Sequence, residues 1–352
     1  MKKTSYFLLP LLLLLAACAP KAATPAPTPQ PVTLRLMTHD SFEIGKDVLN
    51  QFTAETGIAV QVLKSGDGGA ALNQAILAKD NPLADVFYGV DNTFLSRALD
   101  NDIFVPYESP ELKNIPAALK LDLKNRALPV DFGDVCLNYD KAYFANSPLD
   151  PPASLEDLAD PAYANLTVVE NPATSTPGLA FLLATIGHFG TDGYLQYWQK
   201  LKANGVSVAD GWEDAYWGQF SAASDGDRPI VVSYATSPAA EVYFAENPLD
   251  ESPTAAVVGD ETCFRQIEFV GMLKGTKHPA EAQKLVDFML GKTFQEDIPL
   301  NMWVYPANST ASLPDVFIKF SVVPQKPVTV SPEDIKKHRE EWLDAWTQTV
   351  LQ

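Results

Sequence analysis

The alternation of strand-like and helix-like segments just after residue 32 constrains this chain most. Thr33-Leu34-Arg35-Leu36-Met37 reads as a strand, and Ile44, Val48, Leu49 and Phe52 then recur at helical spacing, with Gly57 as a stop. Ile58 to Leu63 reads as the next strand, Gly66-Asp67-Gly68-Gly69 as a loop, and about Ala70 to Lys79 as a helix. Asp85-Val86-Phe87-Tyr88-Gly89 is a further short, buried strand. Helices between successive strands are the crossovers that parallel pairing needs, so an α/β fold with a largely parallel sheet is predicted. Ligands on such sheets bind beyond the carboxyl ends of the strands. Asp67 and Asp91 lie there, which makes both candidate site residues.

A second block of the same kind runs from about Asp134 to Asn247. Its strand Leu166 to Val169 empties into Glu170-Asn171-Pro172-Ala173-Thr174-Ser175-Thr176-Pro177-Gly178, where Thr176 suits an N-cap and Pro177 the first helical position. Leu179 to Ile186 continues as a buried helix. Pro229 to Tyr234 is another strand, ending in Tyr234-Ala235-Thr236-Ser237-Pro238 before a helix. Hydroxyls and backbone N–H groups at two helix starts suit an anionic or strongly polar group, although helix capping alone accounts for the same residues. Beyond this block come a strand from about Phe264 to Met272 and a helix from Pro279 with Ala282, Leu285, Val286 and Met289 on its apolar face. The last helix opens on Ser331, Pro332 and Asp334, and its Ile335, Trp342 and Trp346 read as core. The sequence contains no internal repeat.

Forty-four Asp and Glu stand against 26 Lys and Arg in 352 residues, a net charge of −18. That balance excludes a nucleic-acid binder, which needs a basic footprint, and favours a neutral or cationic partner. Ahead of the folded part, Lys2 and Lys3 precede an apolar run from Tyr6 to Ala17, too short to cross a bilayer as a helix. The run ends in Leu15-Ala16-Ala17-Cys18, which resembles the lipobox of bacterial lipoproteins. Residues 1–17 are therefore expected to be a signal peptide, Cys18 the lipidated anchor, and 18–32 a Pro-rich, semi-rigid tether. The expected location is extracytoplasmic, lipid-anchored to the cell membrane. With Cys18 lipidated, Cys136 and Cys263 remain as an even pair in an oxidising compartment. They are either a disulfide or two small buried hydrophobes.

Sites of common catalytic chemistry are absent. The sequence has no metalloprotease helix, phosphate-loop lysine motif, nucleophile elbow or zinc-type cysteine spacing. His39, His188, His278 and His338 are far apart without metal-ligand spacing. Neither an enzyme, a metal site nor a cofactor is expected.

An ordered series of segments resembles the thiamine-binding periplasmic proteins of ABC importers, within the type II periplasmic-binding superfamily. It comprises Thr38-His39-Asp40-Ser41-Phe42, Gly66-Asp67-Gly68, Gly89-Val90-Asp91-Asn92, Asp131-Phe132-Gly133 and Asn138-Tyr139-Asp140-Lys141. Thr174-Ser175-Thr176-Pro177-Gly178-Leu179, Gly211-Trp212-Glu213-Asp214-Ala215-Tyr216, Ser233-Tyr234-Ala235-Thr236-Ser237-Pro238-Ala239 and Trp303-Val304-Tyr305-Pro306 complete it. The resemblance implies two lobes joined by a hinge of two crossing strands, with 33–130 and 260–352 as the first lobe and 131–259 as the second. It implies a monomer that captures thiamine or thiamine phosphate and delivers it to a membrane permease. The implied ligand contacts are Asp67, Gly68, Ser175, Thr176, Trp212, Tyr234, Ala235, Thr236, Ser237 and Trp303.

These residue types suit a flat aminopyrimidine joined to a cationic thiazolium. Aromatic faces attract a cation by roughly 0.5–2 kcal/mol each, and Asp67 is placed to pair with the charge or accept from the amine. Ser175 and Thr176 at a helix start favour a phosphate or hydroxyl tail. The chain departs from the family pattern at His39, where an aromatic is expected, at Ala240, where another is expected, and at Asp134, where a tyrosine is expected. Two other readings stay open: the same clamp for a polyamine or another cationic heterocycle, and an extracellular thiamine-degrading enzyme using Cys136 or Cys263 as nucleophile.

Overall fold

β1 (Thr33–Thr38) lies between β2 (Ala59–Lys64) and β3 (Val86–Asp91), all parallel, as the strand–helix alternation predicts. The crossover helices are α1 (Lys46–Thr56) and α2 (Gly68–Leu77). Gly57 ends α1 in the left-handed region, φ 72°, and its N–H bonds the Thr53 carbonyl. α2 starts two residues earlier than its apolar pattern suggests because Asp67 caps it, accepting from the Gly69 N–H at 3.1 Å. This is a computed structural model; it describes Met1 and residues 32–352. Cys18, the signal segment and the tether up to Pro31 lie outside the described residues.

The remaining strands join the same sheet. They are β4 (Phe104–Val105), β5 (Leu128–Asp140), β6 (Thr167–Glu170), β7 (Ser207–Ala209), β8 (Ile230–Tyr234), β9 (Thr254–Val257), β10 (Phe264–Leu273) and β11 (Tyr305–Pro306). The main order is β2-β1-β3-β10-β5-β8-β6-β7, with β9 and β11 on β5 and β4 on β10. β5 and β10 run antiparallel in its centre, and each feeds two apolar cores. Leu128, Val130, Phe269 and Met272 belong to the first core, with β1 to β3. Val135, Leu137 and Phe264 belong to the second. This is the two-lobed, type II binding-protein architecture, and β5 and β10 are its crossing strands.

Between these strands the helices are α3 (Leu95–Asp100), α4 (Lys141–Ala145), α5 (Thr176–Ala203), α6 (Trp212–Tyr216), α7 (Ser237–Phe244), α8 (Pro279–Leu290), α9 (Lys292–Met302), α10 (Asp315–Phe320) and α11 (Pro332–Val350). α5 buries Leu179 to Ile186 and is interrupted at Gly190, φ 73°. Its N-cap is Ser175, whose hydroxyl accepts from the Gly178 N–H, so Thr176 and Pro177 are the first two helical residues. The Ser-Thr alternation around 174–176 offers several capping hydroxyls, and the helix uses the one a residue earlier. Ser331 caps α11 by accepting from the Asp334 N–H at 3.0 Å.

α11 departs from the expected grouping of 260–352 with the first lobe. Ile335, Trp342, Leu343, Trp346 and Val350 join the second core, with Trp346 edge-on to Trp198 of α5. Only the first half of the helix reaches α3, through Lys336 to Asp100 at 2.7 Å and Arg339 over the Phe94 ring at 4.6 Å. Apolar area decides this: two indoles bury far more surface on α5 than the charged face can on α3. Cys136 on β5 and Cys263, just before β10, form a disulfide across the crossing strands. Among the described residues, no helix is long and apolar enough to cross a membrane.

Candidate functional site

One cavity of about 970 Å³ opens between the two cores, a volume suited to a small organic ligand. Asp67, Gly68, Ser175, Thr176, Trp212, Tyr234, Thr236, Ser237 and Trp303 all line it. They arrive on different elements: the start of α2, the start of α5, α6, the end of β8, the start of α7 and the end of α9. Ala235 is the exception. It is fully buried and packs with Cys136 and Cys263 on the far side of the turn, so its side chain does not reach the cavity. Neighbouring residues of an extended segment point to opposite faces, and Tyr234 takes the face toward the cavity.

The aromatic walls are held by polar anchors. Trp212 Nε1 donates to Ser233 Oγ at 2.9 Å, and Ser233 Oγ in turn meets Ser237 Oγ at 2.8 Å. Tyr234 donates its hydroxyl to Gln266 Oε1 at 3.1 Å. Trp303 ends α9 in the left-handed region, φ 56°, uncommon for a side chain of this size. Its carbonyl accepts from Thr236 Oγ1 at 2.6 Å and its indole stacks on Phe317, which together hold that backbone in place. Across the opening, Thr176 Oγ1 donates to Asp67 Oδ2 at 3.1 Å, linking the starts of α2 and α5.

The electrostatics are one-sided. The lining includes ten Asp or Glu residues and, among the described residues, neither Lys nor Arg. Its only basic group is His39, whose Nε2 lies 3.1 Å from Glu268 Oε1. Gly89, φ 103°, makes room for that ring: a Cβ there would meet His39 Cδ2 at 2.4 Å. Burial opposes the charged imidazole, but Glu268, with Asp67 and Asp91 farther off, raises its pKa above the ordinary value. Tyr88 donates to Asp131 Oδ2 at 2.6 Å and approaches Glu268 Oε2 at 3.0 Å. Burial and the charge on Glu268, its cross-strand partner, push Asp131 well above the carboxylate range. Burial likewise resists ionisation of Glu268, yet His39 and the hydrogen bonds around it bring it below its ordinary value. Asp91, 3% exposed, is pushed up to about 6 by burial, despite bonds from Thr93 and from Gln266 Nε2 at 2.7 Å. Such a floor accepts positive charge and repels negative charge.

Asp134, which stands where the family pattern has a tyrosine, lies away from the cavity. It is 0% exposed and does not line the cavity. Arg265 engages it with two bonds of 2.9 Å, so its charge is matched inside the crossing strands. Conversely, Asp131, Gln266 and Glu268 line the cavity without being legible as such in the sequence, because alternating residues of a central strand carry no local signal that separates a cavity face from a core face. Trp217 and Phe244 also line the cavity and were not singled out. Among the described residues, no cluster of three or more His, Cys, Asp or Glu is placed to hold a metal ion.

Comparison with known proteins agrees with this geometry. A family model described as bacterial extracellular solute-binding protein matches residues 81–325. The thiamine-binding periplasmic protein of Salmonella typhimurium is 33% identical over 350 residues, spanning 97% of this chain and 98% of that one. Its counterpart from Brucella suis biovar 1 is 32% identical, spanning 89% of this chain and 91% of that one. Among solved structures, a periplasmic thiamin binding protein superposes with a TM-score of 0.77 at 30% identity, covering 90% of this chain and 96% of that chain.

Proposed function

We propose that this chain, which belongs to the bacterial extracellular solute-binding protein family, captures thiamine outside the cytoplasm and passes it to the membrane permease of an ABC importer. The observation that carries this reading is a cavity combining Trp212, Tyr234 and Trp303 with ten carboxylates and, among the described residues, no Lys or Arg. Aromatic faces suit the flat rings, and the acids complement the thiazolium charge. A flexible polyamine would gain from the acids but has no flat ring to set against the indoles. The thiamine-degrading alternative is disfavoured because its candidate nucleophiles, Cys136 and Cys263, are bonded to each other away from the cavity.

In this reading Asp67 and Gly68 belong to the first lobe, and Ser175, Thr176, Trp212, Tyr234, Thr236 and Ser237 to the second. Rotation about β5 and β10 brings the two sets together on the ligand. The lobes are 33–130 with most of the chain after 260, and 131–259 with α11 docked on it. The hydroxyethyl tail, or a phosphate it carries, lies toward Ser175 and Thr176 at the start of α5. Asp67 faces that same spot, so a phosphate ester must displace the Asp67–Thr176 contact. Cys18 carries the lipid that keeps the protein, a monomer, at the membrane surface.

Isothermal titration with thiamine, thiamine monophosphate, thiamine diphosphate and spermidine tests the assignment. Saturable heat with thiamine and quenching of tryptophan fluorescence are expected, and Trp212→Ala should weaken binding by about a hundredfold. Absence of saturation with all three forms of thiamine would overturn it.

A further inference from the structure

Two large aromatic side chains stand exposed at the mouth of the cavity. Trp217, directly after α6, is 54% exposed, and Phe244, the last residue of α7, is 65% exposed. Scattered exposed apolar residues are ordinary, but these two are not scattered: both line the same cavity. Each backs onto a ring of the inner wall. Trp217 lies edge-on to Trp212 at 6.0 Å, and Phe244 lies 5.1 Å from Trp303 with the planes 54° apart. Three of the lining carboxylates, Glu213, Asp214 and Glu241, belong to these same helices.

The register of α7 explains why Phe244 is there. Ala240 also lines the cavity, and residues four apart share one helix face. Ala240 offers a methyl group where a ring would close the wall, and the next residue along that face is Phe244. Phe244 thus places a ring on that face about one helical turn, roughly 6 Å, beyond Ala240. Both rings sit at helix ends and are more than half exposed, each with one side against neighbouring rings and the other open to solvent.

We propose that Trp217 and Phe244 form an outer aromatic pair that closes over the cationic ring of the bound ligand, making the mouth of the cavity a determinant of selectivity for a flat cation. This rests on the reading that the cargo is thiamine. The inner rings and the floor acids set the position of the ligand, and the outer pair covers its charged face as the lobes close. Removing water from around that ring strengthens its attraction to the aromatic faces.

The test is titration of wild type, Trp217→Ala, Phe244→Ala, Phe244→Leu and Phe244→Tyr with two ligands. One ligand is thiamine and the other its neutral thiazolone analogue, which keeps the pyrimidine and the hydroxyethyl tail. Each alanine variant, and Phe244→Leu, should bind thiamine about five- to tenfold more weakly, whereas the neutral analogue changes by less than about twofold. Phe244→Tyr should stay within about twofold of wild type for both. Melting temperatures should be unchanged, since both side chains are exposed. Unaltered thiamine affinity in the variants overturns the proposal, as do equal losses for the two ligands, because contact area alone would then account for the effect. A wild-type protein that binds neither ligand instead removes the underlying assignment, and the outer pair with it.

Discussion

β5 and β10 carry acids at both ends of their shared stretch, and the two ends treat them in opposite ways. Toward the second core, Asp134 is fully buried with a bidentate arginine, and the disulfide of Cys136 and Cys263 lies beside it. Toward the first core, Asp131 and Glu268 stand opposite each other in register, with only a tyrosine hydroxyl and one histidine near them. A buried acid matched by an arginine is part of the frame. Acids left short of positive charge on the wall of a cavity are poised for a cation that arrives later.

Replacing Arg265 with Met should expose that contrast most strongly. Asp134 would be left buried without its partner, which costs about 3–5 kcal/mol. Denaturant melts at neutral pH should show the loss, while the affinity for thiamine stays within about twofold. A similar loss of affinity would join the two ends into a single functional unit and end the comparison.

Glu268→Gln should do the reverse. The floor loses a negative charge, so thiamine binding should weaken about tenfold, or about 1.4 kcal/mol, with stability changed by less than about 1 kcal/mol. The substitution also relieves the crowding with Asp131, and calorimetric melting alongside titration separates the two effects. A large drop in melting temperature with unchanged affinity would assign Glu268 to the frame instead.

The smallest effect expected is on pH dependence. His39, with its raised pKa, carries a proton at the lower end of the range and opposes the cationic ligand, while Asp91 becomes negative only above about 6. Both changes favour the cation as pH rises, so affinity should increase by roughly three- to tenfold between pH 5 and pH 8, with His39→Phe flattening the upper part of the curve. The stability linkage runs the other way. A raised histidine stabilises fully below its unfolded value of about 6.5, and that contribution is lost as pH rises through the folded value. Asp91, also raised, destabilises progressively as pH climbs from about 4 to about 6. A flat affinity profile over this range would remove His39 and Asp91 from the ligand's surroundings.

Features written in local sequence were readable beforehand. The β1–α1–β2–α2–β3 rhythm, the Ser331 cap and the apolar stripe of α8 each depend on neighbours a few residues away. Most of the ring and hydroxyl set was readable because those residues occur in an ordered series of short segments. Ala235 was misplaced because a segment match does not say which face of a turn a side chain takes. The role of Asp134 was hidden because its partner, Arg265, lies far along the chain, on the other crossing strand. The grouping of α11 was hidden for a related reason: its tryptophans announce burial but not the core that receives them.

That last helix also bears on how the clamp opens. Its tryptophans are wedged into the second lobe, whereas only Lys336 and Arg339 fasten it to the first, the lysine in an exposed pair. Exposed pairs of that kind contribute about 0–1 kcal/mol and fade with added salt. Parting α11 from α3 would therefore break one ion pair that solvent ions can replace and one ring contact, and would leave its indoles packed in the second core. Raising the ionic strength is expected to weaken the Lys336–Asp100 pair and to leave the indole packing of α11 unchanged.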